Sequence, residues 1–523
     1  MKPNILFFLI DGLREDKCHG NKKTSVTPHI DSLIQNGIYF NQTICSAPVT
    51  PTVLSSLFTG LYPSEAIILN NEIFTINQAH KNYVQHLKEI GYTTYAFLPE
   101  ATYLFEQGRI FQENVYKYPY TDTLFNGNGK LIVEKLKENS LREPWFYYLH
   151  LYDLYTPIDY ETQTDVKELN DNSFGNTTYE RMFSAIDVWI GKILKTIDTK
   201  KTIVIITSDH GHEKGAFTES MEKLHQQSRT VRKHDHGIGF KIGQKIARKL
   251  PKSMSPVRKK VAEKYTSKTD EKIKDRVKPE LEKIEKSELR PYEKRLMQNA
   301  VLPTAHVFDD RVHVPLIFSG YNIPSNKIIN QQIRSVDIFP TITDIIGLSD
   351  VNYGKRGRSL LPIIQGKNLE ELPAYIETAT NSVKTQTDNS IGIRTSKFKY
   401  FRDRNDPTKN VHLYDLKNDP LEEKNIAEDN KDVVEEMEKQ VIEILKGESL
   451  EHKQSKKLTE EEIKKAIWYN RSSLNFRKKY DFVESMTNGD INRYIYIWKI
   501  IEKYVTNYSL FVLNHLKIQS ILD

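Results

Sequence analysis

Two continuous apolar runs, each followed by an acidic residue, restrict the fold of this chain more than any other feature. Asn4 to Ile10 (NILFFLI) precedes Asp11, and Thr202 to Thr207 (TIVIIT) precedes the sequence SDHG, which contains Asp209 and His210. Such runs are typical of strands that are buried on both faces of a parallel sheet. Because ligands collect at the carboxyl ends of these strands, Asp11, Asp209 and His210 are candidate functional residues.

Helical and strand patterns alternate along the first three quarters of the chain. Apolar spacing predicts helices at 76–90, 179–197 and 336–346, and strands at 93–98, 145–152 and 314–319. This alternation predicts an α/β fold over residues 1–385, with a mostly parallel central sheet sandwiched by helices.

Three further segments depart from this alternation. Strand-like pieces at 386–445 predict a small antiparallel sheet subdomain, and residues 446–523 predict a helical C-terminal extension. A basic helical insertion is expected at about 213–303, since residues 221–300 carry 23 Lys plus Arg against 11 Asp plus Glu. The insertion is either a solvated arm or a positive rim that steers an anionic polymer or lipid headgroup. It lacks interleaved aromatic residues, so nucleic acid is not an expected partner.

Cysteine usage and the lengths of the apolar runs predict a cytoplasmic protein. Cys18 and Cys45 are too few for a disulfide framework. The run from Asn4 to Ile10 is too short for a signal peptide or a membrane span, so no transmembrane segment is expected. The C-terminal helices offer a surface for packing on the body or for forming an oligomer.

The segment 46–63, SAPVTPTVLSSLFTGLYP, places a hydroxyl where a helix begins. Proline favours the first helical position and glycine favours a helix end, which predicts a helix from about Pro51 to Thr59 with Thr50 as its N-cap. An anion at Thr50 would meet the N–H groups of the first turn, which suits phosphate or sulfate esters. An ordinary capped helix packed on a core is the alternative.

Asp11, Thr50, Asp209 and His210 are expected to converge at one edge of the sheet. Two carboxylates, one hydroxyl and one imidazole form a four-ligand set for one divalent metal ion. This set suits Zn²⁺ or Mn²⁺ at least as well as Ca²⁺, which prefers oxygen ligands. A metal ion promotes ionisation of a bound hydroxyl, so Thr50 could act as a nucleophile toward phosphorus or sulfur.

In this order, the motifs resemble those of the sulfatases and sulfatase-like hydrolases or transferases of the alkaline phosphatase superfamily. The resemblance covers roughly residues 3–429. It rests on PNILFFLIDGLR, TPHIDSLIQNG, SAPVTPTVLSSLFTGLYP, TSDHG, FDDRVHVPLIF, VDIFPTITDIIGL, GRSLLPIIQG and HLYDLKNDPLEEKNIA. It implies an alkaline phosphatase-like fold, a metal site at Asp11, Asp209 and His210, and a nucleophile at Thr50.

The position of Thr50 departs from the pattern of true sulfatases. Those enzymes carry Cys or Ser there, followed by a Pro and an Arg, and convert it to formylglycine. Here Thr50 is followed by PTVL, without the arginine. The resemblance therefore implies a Thr-nucleophile, non-formylglycine type, whose members act as phosphodiesterases, phosphonate ester hydrolases or phosphoalcohol transferases.

A histidine is expected to protonate the leaving group. The candidates are His150 in LHLYDLYTP, His306 before FDDRVHVPL, and His236 in KHDHGIGF. Relatives often carry a second histidine at the position of Tyr155, which here either donates the proton instead or only packs. We expect a metal-dependent hydrolase or transferase of a phosphate, phosphonate or sulfate ester, with a phosphodiester or an anionic glycan or lipid headgroup favoured. The alternative is a catalytically degenerate relative that binds an anionic glycan or a partner.

Overall fold

The computed structural model describes residues 2–70, 73–77, 79–100, 102, 108–119, 122–137, 141–155, 166–224, 275, 277–302, 305–348, 356–378 and 389–446. His236, the central part of the basic insertion and the C-terminal extension beyond residue 446 lie outside these residues. No helix among the described residues is long and apolar enough to cross a lipid bilayer.

Fifteen strands are assigned to the described residues. They are β1 (Asn4–Ile10), β2 (Gly37–Ile44), β3 (Ile67–Asn70), β4 (Ile73–Ile76), β5 (Thr93–Pro99), β6 (Val115–Tyr118), β7 (Trp145–Leu151), β8 (Thr202–Thr207), β9 (His313–Gly320), β10 (Lys327–Ile329), β11 (Ile333–Arg334), β12 (Ala374–Glu377), β13 (Ser390–Arg394), β14 (Phe398–Asp403) and β15 (His412–Asp415).

A nine-stranded sheet forms the centre of the fold. Its strand order is β10-β2-β9-β8-β1-β7-β5-β6, with β11 also paired to β2. Only β9 is antiparallel to its neighbours, β8 and β2, while the other pairs are parallel. The predicted α/β fold with a mostly parallel central sheet is therefore confirmed.

Helices cover both faces of this sheet. The α-helices are Glu15–Cys18, Pro28–Gln35, Thr50–Thr59, Pro63–Ala66, Tyr83–Glu89, Asn128–Lys137, Thr178–Leu194, Pro291–Val301, Asp309–Val312, Ile338–Ile345, Leu361–Ile364 and Lys431–Lys446. Along β1, Leu6 and Phe8 pack in one apolar core and Phe7 and Leu9 in the other, which explains why the strand is apolar on both faces from Ile5 to Ile10.

One predicted helix begins later than expected. The spacing at 76–90 predicts a helix from Ile76, but Ile76 ends β4 and the helix begins at Tyr83. The Asn82 side chain accepts a hydrogen bond from the Gln85 N–H, so it caps the helix at this point.

A four-stranded antiparallel sheet, in the order β12-β13-β14-β15, follows the central sheet in sequence. It confirms the small C-terminal antiparallel sheet, and its first strand, β12, precedes residue 386, where the sequence predicted the subdomain to begin. Met437 and Val441 of the Lys431–Lys446 helix are buried against this sheet.

Candidate active site

The strands β1 and β8 place two acidic residues side by side. They are adjacent and parallel, with Leu9 paired to Thr207, and a further bridge joins Gly12 to Gly211. Asp11 and Asp209 are 2% and 0% exposed. Asp11, Asp209 and His210 each offer a ligand atom within 4.8 Å of the others, and they are the one such group found in the described part of the chain.

The Thr50–Thr59 helix brings the fourth predicted residue to the same point. Thr50 Oγ1 lies 3.4 Å from Asp11 Oδ2 and 3.1 Å from His210 Nε2. Leu54, Leu57 and Phe58 anchor the helix in the core beneath the sheet. The structure therefore brings all four residues of the predicted metal site together.

The Thr50 hydroxyl does not cap its own helix, contrary to the sequence prediction. Val49 holds the N-cap position, Thr50 is the first helical residue, and the cap residue makes no side-chain hydrogen bond. The Val49 carbonyl accepts from the Val53 N–H and from Thr52 Oγ1, at 3.1 and 2.7 Å. The helix ends at Gly60 as predicted, in the left-handed conformation with φ 69°. The Thr50 hydroxyl is therefore left to contact the acidic cluster.

The imidazole of His210 presents a lone pair to Thr50. His210 Nδ1 lies 2.9 Å from the Gly211 carbonyl oxygen, which can only accept, so Nδ1 carries the proton. Nε2 is then unprotonated in the neutral ring and faces the Thr50 hydroxyl. This tautomer suits a metal ligand, because a ligating histidine commonly donates its other N–H to a carbonyl or carboxylate.

The buried carboxylates form a site that fits a cation. Burial, together with the nearby charge of Asp209, raises the pKa of Asp11. Burial also tends to raise the pKa of Asp209, but the His210 and His150 imidazoles hold that pKa below its usual value. Asp11 Oδ1 and Asp209 Oδ2 are buried without a hydrogen-bond partner. Because buried carboxylate oxygens are costly unless they are paired or bind a metal, these residues fit a divalent metal ion.

Tyr155 lies directly over the loop that follows β1. A Cβ atom on Gly12 would lie 2.7 Å from Tyr155 Cε2, and the φ of +77° at Gly12 also favours glycine. The Tyr155 ring stacks on Tyr152 and meets the edge of His212, with ring centroids 4.7 and 4.5 Å apart. Burial, with the charge of Asp11, raises the pKa of Tyr155, so its hydroxyl remains protonated at neutral pH.

The histidines that were predicted as leaving-group acids differ in their surroundings. His150 is enclosed within β7, and its Nε2 lies 3.1 Å from Asp11 Oδ2. His306 Nε2 lies 3.6 Å from Asp310 Oδ2, and burial lowers the pKa of His306 to about 4. His236 lies outside the described residues.

A buried ion pair beside the site was not singled out from the sequence. Arg311 Nη2 lies 2.5 Å from Glu213 Oε2, and the Arg311 carbonyl accepts from the Gly211 N–H at 2.7 Å. Burial tends to raise the pKa of Glu213, but the nearby Arg311 guanidinium holds that pKa well below its usual value. The two residues are 98 positions apart, so the only signal available was the arginine within the FDDRVHVPL motif.

Comparison with known proteins assigns the chain to a family. The profile of the Sulfatase family matches residues 3–348, which include the predicted metal site and Thr50. The chain belongs to the sulfatase family. A second profile, the C-terminal part of N-sulphoglucosamine sulphohydrolase, matches residues 291–448 of this family member. The chain is therefore an ester hydrolase.

Its relatives include enzymes that are named for sulfated glycans. The Ulvan-active sulfatase of Formosa agariphila is 22% identical over 502 residues, which are 86% of this chain and 80% of that protein. The Delta 4,5-hexuronate-2-O-sulfatase of Bacteroides thetaiotaomicron is 30% identical over 138 residues, only 24% of this chain and 27% of that protein. The phosphonate monoester hydrolase of Agrobacterium radiobacter has the same fold, with a TM-score of 0.55 at 16% identity, covering 85% of this chain and 96% of that one.

Proposed function

We propose that this sulfatase-family chain is a metal-dependent hydrolase of a phosphodiester or phosphonate ester, with Thr50 as its nucleophile. The observation that carries the proposal is the position of Thr50 Oγ1, 3.4 Å from Asp11 Oδ2 and 3.1 Å from His210 Nε2. The names of the glycan-active relatives and the basic segment at 221–300 favour an anionic glycan or lipid headgroup as the carrier of the ester.

The residues around Thr50 would hold one divalent metal ion. Asp11, Asp209 and His210 supply two carboxylates and an imidazole, and the Thr50 hydroxyl completes the set. This mixed set favours Zn²⁺ or Mn²⁺, with Ca²⁺ as the alternative. When bound, such an ion supplies positive charge that favours the ionised hydroxyl and the anionic ester oxygens.

The reaction would proceed through a phosphothreonine ester, or a phosphonothreonine for a phosphonate, in which phosphorus keeps its second organic substituent. Thr50 Oγ1 loses its proton to solvent and forms a bond to phosphorus, while the bond from phosphorus to the leaving alcohol breaks. The leaving oxygen takes a proton. Water then attacks the phosphorus of the phosphothreonine, which restores the Thr50 hydroxyl and releases the second product. An acceptor alcohol in place of water would give transfer.

Tyr155 is the proton donor that we propose for the leaving oxygen. His150 is enclosed and already faces Asp11, and His306 is uncharged at neutral pH because its pKa is about 4. The Tyr155 ring lies over Gly12, next to Asp11, and its hydroxyl keeps its proton. Tyr155→Phe should therefore slow the release of alkyl alcohols more than that of nitrophenol, which needs no proton. Equal losses for both leaving groups would exclude this role.

Turnover of a substrate panel tests the proposed function. Purified, metal-loaded protein would be assayed on aryl esters of a phosphate monoester, a phosphodiester, a phosphonate and a sulfate, with Asp209→Asn as a metal-site control. We expect the phosphodiester or phosphonate to be hydrolysed fastest and intact mass to show an unmodified Thr50. Turnover of the sulfate alone, or turnover unchanged in Asp209→Asn, would contradict the proposal.

A further inference from the structure

The proposed reaction gives no catalytic role to His150, which lies on β7. Its side chain is completely buried, with an exposed fraction of 0%. Its Nε2 lies 3.1 Å from Asp11 Oδ2, and its Nδ1 is buried with no hydrogen-bond partner. Because a carboxylate oxygen can only accept, the ring proton belongs on Nε2, where it is donated to Asp11.

The pairing of β1 with β7 explains why the two side chains meet. Leu9 is paired with His150 in the parallel register, and Asp11 lies two residues beyond Leu9 on the same face of the sheet. The Asp11 N–H also donates to the Leu151 carbonyl, at 2.9 Å. The backbone and the side chain of Asp11 are therefore both held by β7.

The two oxygens of the Asp11 carboxylate have different surroundings. Oδ2 contacts the His150 ring and lies 3.4 Å from Thr50 Oγ1, whereas Oδ1 is buried with no hydrogen-bond partner. A donor on one oxygen fixes the plane of the carboxylate and so fixes the direction of the other oxygen. Oδ1 is then the oxygen of Asp11 that remains available to a metal ion.

We propose that His150 is a positioning residue, which donates its Nε2–H to Asp11 Oδ2 and thereby holds Asp11 Oδ1 ready to bind the metal ion. The proposal rests on the proposed function, because it requires a metal ion at Asp11, Asp209 and His210. Loss of the donor lets the carboxylate rotate, and outer partners of metal ligands typically contribute about 10–100-fold in metal affinity.

Direct titration of the metal-free protein with Zn²⁺ tests this role without any measurement of activity. The full-length protein would be stripped with a chelator and titrated in competition with a chromophoric chelator, as wild type, His150→Leu, His150→Asn and His150→Gln. Leucine removes the donor. Asparagine keeps an amide but is too short to reach Asp11, whereas the glutamine amide N–H reaches about as far as imidazole Nε2.

The neighbouring Tyr148 provides a matched control. It lies two residues before His150 on the same face of β7, it is fully buried, and its hydroxyl has no hydrogen-bond partner. Tyr148→Phe therefore removes a buried polar atom from the same strand without removing a contact to Asp11. Circular dichroism and urea unfolding of each metal-free variant would establish that it is folded.

The expected pattern separates positioning from simple packing. His150→Leu and His150→Asn should bind Zn²⁺ about 10–100-fold more weakly than wild type, whereas His150→Gln should recover most of the affinity and Tyr148→Phe should bind as wild type. A folded Leu or Asn variant with wild-type affinity, or a Gln variant as weak as Asn, would overturn the role of His150. Failure of the wild-type protein to bind Zn²⁺, Mn²⁺ or Ca²⁺ would instead overturn the proposed function, and the role of His150 with it.

Discussion

Replacement of Thr50 by alanine would remove the proposed nucleophile without changing the N-cap residue of its helix. Val49 holds the N-cap position, and the Thr50 hydroxyl contacts Asp11 and His210, at 3.4 and 3.1 Å, and also hydrogen-bonds to the Asp209 side chain. A typical hydrogen bond contributes about 0.5–1.5 kcal/mol net to stability, and the longer of these contacts is at the limit of a hydrogen bond. We therefore expect Thr50→Ala to lower the free energy of unfolding by about 1 kcal/mol.

The expected effect on turnover is far larger than this loss of stability. A protein stable by about 5–15 kcal/mol remains folded after losing 1 kcal/mol, so unfolding would not reduce the rate measurably. Removal of a nucleophile that forms a covalent bond should lower the rate by roughly a thousandfold or more, which corresponds to about 4 kcal/mol in the activation barrier. Rate and stability therefore discriminate between a nucleophile and a residue that only supports the fold.

The assay compares variants at equal metal content. Turnover of an aryl phosphodiester and urea unfolding would be measured for wild type, Thr50→Ala and Thr50→Ser, after elemental analysis. Thr50→Ser keeps an attacking hydroxyl and should retain part of the activity. Thr59→Val is the matched control, because the Thr59 hydroxyl donates to the Ser55 carbonyl at 2.7 Å and accepts from the Leu61 N–H at 3.3 Å, at the far end of the same helix. This control should lose stability but not turnover.

One result would refute the assignment of Thr50. If folded, metal-loaded Thr50→Ala turns over the phosphodiester within about tenfold of wild type, only about 1.4 kcal/mol of the barrier depends on the hydroxyl. Such a change in the activation barrier is too small for the removal of a covalent nucleophile. The attacking group would then be a water molecule or another side chain.

Three further predictions concern the metal site, a buried histidine and a buried lysine. Asp11→Asn and Asp209→Asn should each lose stoichiometric metal after dialysis while remaining folded, because each removes a charge from a small ligand set; elemental analysis that finds one metal per chain would remove that residue from the set. The pKa of His306 is lowered by burial from 6.5 to about 4, so the unfolded chain binds an additional proton between these values and the unfolding free energy should fall as the pH is lowered through this window. His306→Gln should flatten this slope by up to about 1.4 kcal/mol per pH unit in urea melts, and an unchanged slope would be inconsistent with the prediction. Lys399→Met should destabilise the fold by about 3–5 kcal/mol, since the buried ammonium lies 2.6 Å from Asp309 Oδ1; a loss below about 1 kcal/mol would show that this ion pair is not needed.

The strands of the central sheet were predictable where a continuous apolar run indicates that a strand is buried on both of its faces. The runs that form β1 and β8 are apolar on both faces, from Ile5 to Ile10 and from Ile203 to Ile206, because each strand lies between two cores. The direction of β9 was not predictable, because a strand covered on both faces has the same apolar pattern whether it runs parallel or antiparallel. The onset of the helix at Tyr83 depended on a side-chain cap at Asn82, which the apolar spacing alone does not locate.

The residues of the candidate site were predictable from the sequence where they come soon after the end of a strand. Asp11 directly follows β1 and Asp209 lies two residues beyond the end of β8, so the order of elements alone brings them to one edge of the sheet. The contact of His150 with Asp11 depends on which strand lies beside β1 and in which register, and neither is written in the local sequence. The orientation of the Thr50 hydroxyl likewise depends on Val49 holding the cap position, which shifts the helix start by one residue.

Hydrogen bonds and an ion pair connect the candidate active site to the small antiparallel sheet. Asp309 Oδ2 lies 2.9 Å from Arg394 Nη2, on β13 of that sheet. Two residues later, the Arg311 carbonyl accepts from the N–H of Gly211, in the loop that carries the histidine of the metal site. A shift of the small sheet would therefore reach that loop through Asp309 and Arg311, and would reach the segment before the Thr50 helix through the hydrogen bond from the Glu377 N–H to the Ser46 carbonyl, at 2.9 Å.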